Sequence, residues 1–324
     1  MLPPVLLGLF NLLWLGLVIG LALLTWQTLR TLTHPPRRGY TWAVAKGLPG
    51  SPAECPPPPD GPGPRPFREF TFTSRGLKLP AWELPGDRPD GPALIFSHGW
   101  GESRLHALQR LHAWLPHCAR VIAWDMPGHG DAAGSCALGT DEVDDLLELV
   151  AAVGPTPGGL VLHGFSLGAG VSLAAAALAA PASLRTVILE APYRFPQTPA
   201  RRVMRLNAVP AWPSVPCALG LLGLFRFGQG TGWFSRAGAA RFDRRTFATQ
   251  VSVPVLVLHG LLDRVCPSDD GIAIASAASG GQFVPVPEGG HLDLWTNPAC
   301  RSLCTTAVQS VLGNLANPPT GATV

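Results

Sequence analysis

One stretch limits the folds open to this chain more than any other: GGLVLHGFSLGAGVSLAAAALAA, residues 158–180. Leu160-Val161-Leu162-His163 is short, apolar and β-prone, and Val171 to Ala180 is a run of small, helix-forming residues. No loop of ordinary length separates the two. Gly164 and Gly168 therefore stand where strand and helix nearly collide, and Ser166 occupies the turn itself. A serine held this way is strained and lifts its hydroxyl above the edge of a sheet, in the G-x-S-x-G arrangement. The pentapeptide alone would also suit a plain Gly-Ser connection. The flanking strand and helix are the context that the sharper reading needs.

The rest of the chain supplies a matching frame. Arg68–Thr73 and Lys78–Leu84 read as an opening antiparallel pair, with Pro80 placing the second run at an edge. Ala93–Ser97, Val121–Asp125, Leu160–Gly164, Thr186–Glu190, Val255–His259 and Gln282–Pro285 read as further, parallel strands. Helical patterns lie between most of them, such as Glu142–Val153 with Leu146, Leu147 and Val150 on one side. That alternation predicts an α/β fold with a mostly parallel central sheet and helices on both faces. In such sheets working residues gather beyond the carboxyl ends of the strands.

A serine hydroxyl is a weak nucleophile at neutral pH and needs a base in hydrogen-bond reach, usually a histidine steadied by a carboxylate. EGGHLDLW places His291 on a Gly-Gly turn after the last strand, and VPVLVLHGLLDRVCP places Asp263 just past the strand before it. Loops after adjacent strands can bring the two together. Glu190, at the end of an earlier strand, is the reserve carboxylate, while Asp269 and Asp270 read as a helix start. An oxyanion needs backbone N–H donors aimed at the developing charge. Leu167, next to the serine, and Trp100, in the HGWGES loop after Ala93–Ser97, are the candidates.

With these pieces in place, Arg68 to Leu315 resembles the α/β-hydrolase superfamily of serine esterases, lipases and aminopeptidase-like enzymes. HGWGES (98–103), DMPGHG (125–130), GFSLGAG (164–170), LHGLLDRVCP (258–267) and GGHLDLW (289–295) carry the resemblance. It implies a Ser166 nucleophile, an Asp263 acid and a His291 base, with Trp100 and Leu167 as oxyanion donors, and neither metal nor organic cofactor. Asp125 and His129, in the D-x-x-G-x-G piece, read as structural. The expected activity is cleavage of carboxylic esters or thioesters, with small-molecule or lipid-like acyl substrates. A peptidase or amidase of the same fold, or a non-catalytic pocket protein, are the alternatives.

The amino-terminal part has a different character. Val5 to Trp26 carries only Asn11 and Thr25 as polar side chains, long enough for a helix to cross a bilayer, which takes about 20 residues. No Lys or Arg precedes the run and no clear cleavage site follows it, which favours a retained anchor over a signal peptide. Arg30, Arg37, Arg38 and Lys46 follow it, so the positive-inside bias predicts a single-pass cell-membrane protein with a cytoplasmic catalytic domain. The expected organisation is an anchor (1–33), a Pro/Gly-rich tether (34–67), the hydrolase domain (68–316) and a short tail (317–324). Residues 193–250 form a cap insertion with nine arginines against Asp243 as its one acid. Within the cap, Cys217–Phe227 is apolar but too short to span, and Leu219, Leu221, Leu222, Leu224 and Phe225 are candidates to dip into an anionic leaflet. A net charge of +3 without a basic, aromatic-interleaved strip speaks against nucleic acid. Seven scattered cysteines read as reduced structural thiols.

Overall fold

The computed structural model describes residues 3–57, 63–179, 181–225 and 243–316. Eight strands, β1 (Arg68–Ser74), β2 (Leu77–Pro85), β3 (Ala93–Ser97), β4 (Arg120–Trp124), β5 (Leu160–Phe165), β6 (Leu184–Glu190), β7 (Val255–Gly260) and β8 (Gly281–Val286), form one sheet. Its order is β1-β2-β4-β3-β5-β6-β7-β8. Both pairings of β2 are antiparallel and all the others parallel. β2 lies inside the sheet, not at its edge as Pro80 suggested. Pro80 is accommodated because it faces Thr71 of β1, while the ladder with β4 begins only at Ala81.

The helices are α1 (Pro4–Thr33), α2 (Tyr40–Ala45), α3 (Leu111–Trp114), α4 (Asp141–Val153), α5 (Leu167–Ala179), α6 (Gln197–Leu206), α7 (Ser214–Phe225), α8 (Arg244–Ala248), α9 (Ser268–Ala277) and α10 (Pro298–Ala316). The period-two alternation of the strands divides the core. Ile95 and Leu162 pack on the side of α4 and α5, while Leu94, Phe96 and Val161 pack on the side of α3 and α10. With both faces covered, β3, β5 and β7 are buried along their whole length, as parallel strands require. Truncating one such side chain, for example Ile95→Ala, would cost about 2–5 kcal/mol.

Three segments depart from their expected roles. The tether is no free spacer: it carries α2, and Ala43, Pro52, Cys55 and Arg65 are buried, with Arg65 Nη1 paired at 2.8 Å to Asp87. The domain boundary at residue 33 cuts through packed structure, since Thr25, Thr28, Leu32 and Thr33 at the end of α1 are buried. In the cap, Leu219 and Leu222 turn inward, with α7 lying along α1, and only Leu221 of the three is exposed. The side chains of Leu224 and Phe225, and Arg226, Arg236 and Arg241, lie outside the described residues, as do 317–324. Arg244 is buried, with its guanidinium 4.2 Å from the centre of the Tyr193 ring, so it is not available to a lipid surface.

Candidate active site

The turn between β5 and α5 is as tight as the pentapeptide requires. Ser166 has φ +50, a left-handed conformation that a β-substituted residue adopts only under strain. A Cβ on Gly164 would overlap the Gly168 carbonyl, and one on Gly168 would overlap the Ser97 carbonyl at the end of β3. The elbow is clamped through its backbone. Ser166 N–H donates to Glu190 O at 2.8 Å and Gly168 N–H to His98 O at 3.1 Å. The strain is thus held by both neighbouring strand ends.

Ser166, Leu167, Trp100 and His291 line one largely apolar cavity of about 270 Å³. Asp263 stands behind the histidine, its Oδ2 2.7 Å from His291 Nδ1. The Asp263 loop folds back on itself because Oδ1 accepts from Val265 N–H (2.7 Å) and Cys266 N–H (2.8 Å). Burial pushes its carboxyl up, but the hydrogen bond from His291, with His259 3.6 Å away, holds it well below the usual range. Among the described residues the N–H groups of Trp100 and Leu167 enter no hydrogen bond. Both are free donors at the cavity.

Two side chains at this site were not anticipated. Cys266 is fully buried, its Sγ 3.9 Å from Ser166 Oγ and within 4.8 Å of a ring nitrogen of His291. The Asp263 turn puts it there, a geometry that a cysteine in a loop does not announce. His259, at the end of β7, has Nε2 3.6 Å from Asp263 Oδ2 and 3.2 Å from the Cys266 carbonyl oxygen. It braces the acid from behind. Burial disfavours a charged His291, but Cys266 and Asp263 raise its pKa above the ordinary 6.5. Because burial also pushes the Cys266 thiol up, keeping it neutral near pH 7, the Asp263 carboxylate is the charge that favours imidazolium. Asp263, Cys266 and His291 offer ligand atoms within 4.8 Å of one another, the geometry of a possible metal group. An ion taken through Asp263 Oδ2 would replace its contact with His291 Nδ1.

The remaining candidates are placed elsewhere. Glu190, the reserve carboxylate, pairs with His163 Nε2 at 2.7 Å and with Arg110, not with His291. Asp125 is buried and accepts from the N–H groups of Arg104 (2.7 Å) and Asp131 (2.9 Å), holding the loop after β4. His129 packs edge-to-face against His98 with ring centres 4.9 Å apart, beneath the HGWGES turn. Asp270 sits in the first turn of α9 and accepts from Arg194 N–H at 3.1 Å. All seven cysteines are free.

A parallel sheet with an antiparallel start, a strained serine elbow after β5 and a His–carboxylate pair beyond β7 and β8 define an α/β-hydrolase architecture. Residues 94–299 match the alpha/beta hydrolase family, and the chain belongs to that family. The uncharacterized protein YfhR of Salmonella typhi is 26% identical over 258 residues, spanning 73% of this chain and 78% of that one. A pimeloyl-[acyl-carrier protein] methyl ester esterase of Neisseria meningitidis is 27% identical over 236 residues, spanning 63% of this chain and 72% of its own. In fold, an esterase of Pyrococcus furiosus superposes with a TM-score of 0.58 at 16% identity, over 80% of this chain and 98% of its own. A hydrolase of Pseudomonas aeruginosa gives 0.55 at 24% identity, over 76% and 98%.

Proposed function

We propose that the protein is a membrane-anchored serine hydrolase that cleaves carboxylic esters or thioesters of acyl substrates. The observation that carries this reading is the left-handed Ser166 opening on the same cavity as a His291 already paired to Asp263. Ser166 Oγ attacks the acyl carbonyl while His291 Nε2 takes its proton, and Asp263 keeps the imidazole proton on Nδ1. For that transfer Ser166 Oγ and His291 Nε2 close onto each other past the Cys266 thiol, 3.9 Å from Oγ. The N–H groups of Trp100 and Leu167 hold the oxyanion, the leaving group takes the proton from His291, and water activated by the same ring releases the acid. The apolar cavity and the methyl ester esterase among the relatives favour acyl esters over peptides.

Anchoring is supported by α1, whose apolar window has a mean hydropathy of 2.3 and is not buried against the domain. Arg30, Arg37, Arg38 and Lys46 behind it support a cytoplasmic hydrolase domain. The test uses the full chain in detergent. A fluorophosphonate probe should label wild type and not Ser166→Ala, and p-nitrophenyl esters should turn over only in the wild type. Equal labelling of the two proteins would overturn the assignment.

A further inference from the structure

α1 reaches the cavity with its last turn, where Leu32 joins the lining. Its first five turns expose Leu, Val, Phe and Trp side chains, whereas Thr25, Thr28, Leu32 and Thr33 form a single buried stripe at its carboxyl end. The last carbonyls of a helix lack partners within it. Here the domain supplies them: Trp100 Nε1–H donates to Leu32 O at 2.9 Å and Cys136 N–H to Thr33 O at 2.8 Å. Arg37 Nη1 adds a bond to Gly130 O at 3.3 Å just beyond. The loop that offers the Trp100 N–H is therefore hooked by its own indole to the end of α1. The Leu32 side chain lines the cavity together with Ser166 and His291.

The helix is unbroken between the apolar run and that wall. From Trp26, at the end of the run, to Leu32 is about 9 Å along the axis. A bilayer crossed by α1 would thus end about one and a half turns from the cavity. Two more residues of the cavity lining, Leu206 of α6 and Leu292 beside His291, are 62% and 60% exposed. Apolar groups left open at a mouth mark a surface that meets something apolar. At about 270 Å³ the cavity is also at the small end for ligand sites, about 300–1,000 Å³, so a long chain would run on past Leu32 toward α1.

We propose that the last turn of α1, through Leu32, is one wall of the acyl-chain site, and that the substrate is a bilayer-resident ester whose chain passes along Leu32 directly from the lipid. This rests on the membrane-anchored esterase reading above. Leu32 then sets chain-length preference, touching the distal chain and leaving the scissile carbonyl alone.

The test compares kcat/KM for p-nitrophenyl acetate and p-nitrophenyl palmitate on the full chain in detergent micelles, with fluorophosphonate labelling of Ser166 as the measure of an intact site. Leu32→Trp should lower the ratio of palmitate to acetate kcat/KM by about tenfold or more, the scale on which a filled apolar subsite discriminates. Should that variant fail to label, Leu32→Ala should lower the palmitate-to-acetate ratio about threefold or more. If whichever variant labels treats the two esters alike, whether both fall or neither does, the wall assignment is overturned while the serine esterase reading stands. A wild type that neither labels nor turns over acetate removes the esterase reading itself.

Discussion

Two carboxylate–histidine pairs lie within this domain with the same separation, 2.7 Å: Glu190 with His163, and Asp263 with His291. They differ in what occupies the other side of the imidazole. His163 Nδ1 accepts from Trp114 Nε1–H at 3.1 Å, so both ring nitrogens are committed. Its carboxylate is further tied to Arg110 and to Trp295 Nε1–H, all fully enclosed. His291 has one nitrogen on Asp263, and its ring lines the cavity on which Ser166 opens, with the Cys266 thiol nearby. A carboxylate–histidine pair is therefore no sign of catalysis in itself. Chemistry needs the second nitrogen free to reach a reacting atom, and the first pair has spent it on holding β6 beneath the elbow.

The sharpest way to break this contrast is to disturb each carboxylate alone. Asp263→Asn keeps an oxygen for the Val265 and Cys266 N–H groups, so the loop survives, but it turns an NH₂ toward His291 Nδ1. The ring must then carry its proton on Nε2 and cannot accept one from Ser166. A fall in kcat/KM of about 10⁴ is expected, with little change in thermal midpoint. An active Asp263→Asn enzyme would mean that the pair is not what prepares the base.

Glu190→Gln should behave oppositely. Arg110 is left as a buried, uncompensated charge, for which a loss of about 3–5 kcal/mol in unfolding free energy is expected. At a temperature where the variant is folded, Ser166 labelling should persist, because the Glu190 carbonyl that clamps the Ser166 N–H belongs to the backbone. The same group gives a pH signature. Burial opposes its ionisation, but Arg110 and His163 bring the Glu190 pKa down from 4.5 to about 2. A depressed acid stabilises above its unfolded value, so this contribution is complete above pH 4.5 and is lost as pH falls toward 2. Denaturant titrations should show that acid limb shrink in Glu190→Gln. An unchanged limb would place the acid sensitivity elsewhere.

How far the sequence makes this contrast legible depends on the range of each contact. The strands are readable to within a residue or two because period and turn signals are local, and the Ser166 elbow is readable because two glycines and a hydroxyl are confined to one turn. Glu190 and Asp263 look alike at that level: each is an acid at a strand end. Only Arg110, eighty positions before Glu190, separates them, and no local pattern announces that pairing. The same holds for Leu32, whose place at the cavity follows from α1 docking under Trp100. Composition marks residues 34–67 as a spacer, yet packing overrides it: Pro52 and Cys55 fill surface hollows that a Pro/Gly-rich strand of polypeptide can enter as well as leave.

The smallest expected effect concerns the thiol beside the proposed nucleophile, Ser166, and the proposed base, His291. His291 must be neutral to accept the Ser166 proton, so activity is present above its pKa and lost as pH falls through it. With that pKa raised above 6.5, the acid limb of kcat/KM lies above the position of an ordinary histidine. Cys266→Ala removes the neutral, polarisable sulfur beside the imidazolium and leaves the Asp263 charge in place, so any movement of the limb should be to lower pH. A shift of one unit would raise the neutral fraction below the inflection by about tenfold. The plateau at high pH should not fall, since the alanine leaves Oγ and the imidazole with nothing between them. If the limb stays in place, the thiol does not face the ring in solution. If the plateau instead collapses to the level of Ser166→Ala, Cys266 takes part in the reaction and the contrast between the two pairs would have to be drawn with the thiol included, since His291 would then serve a sulfur where His163 serves only structure.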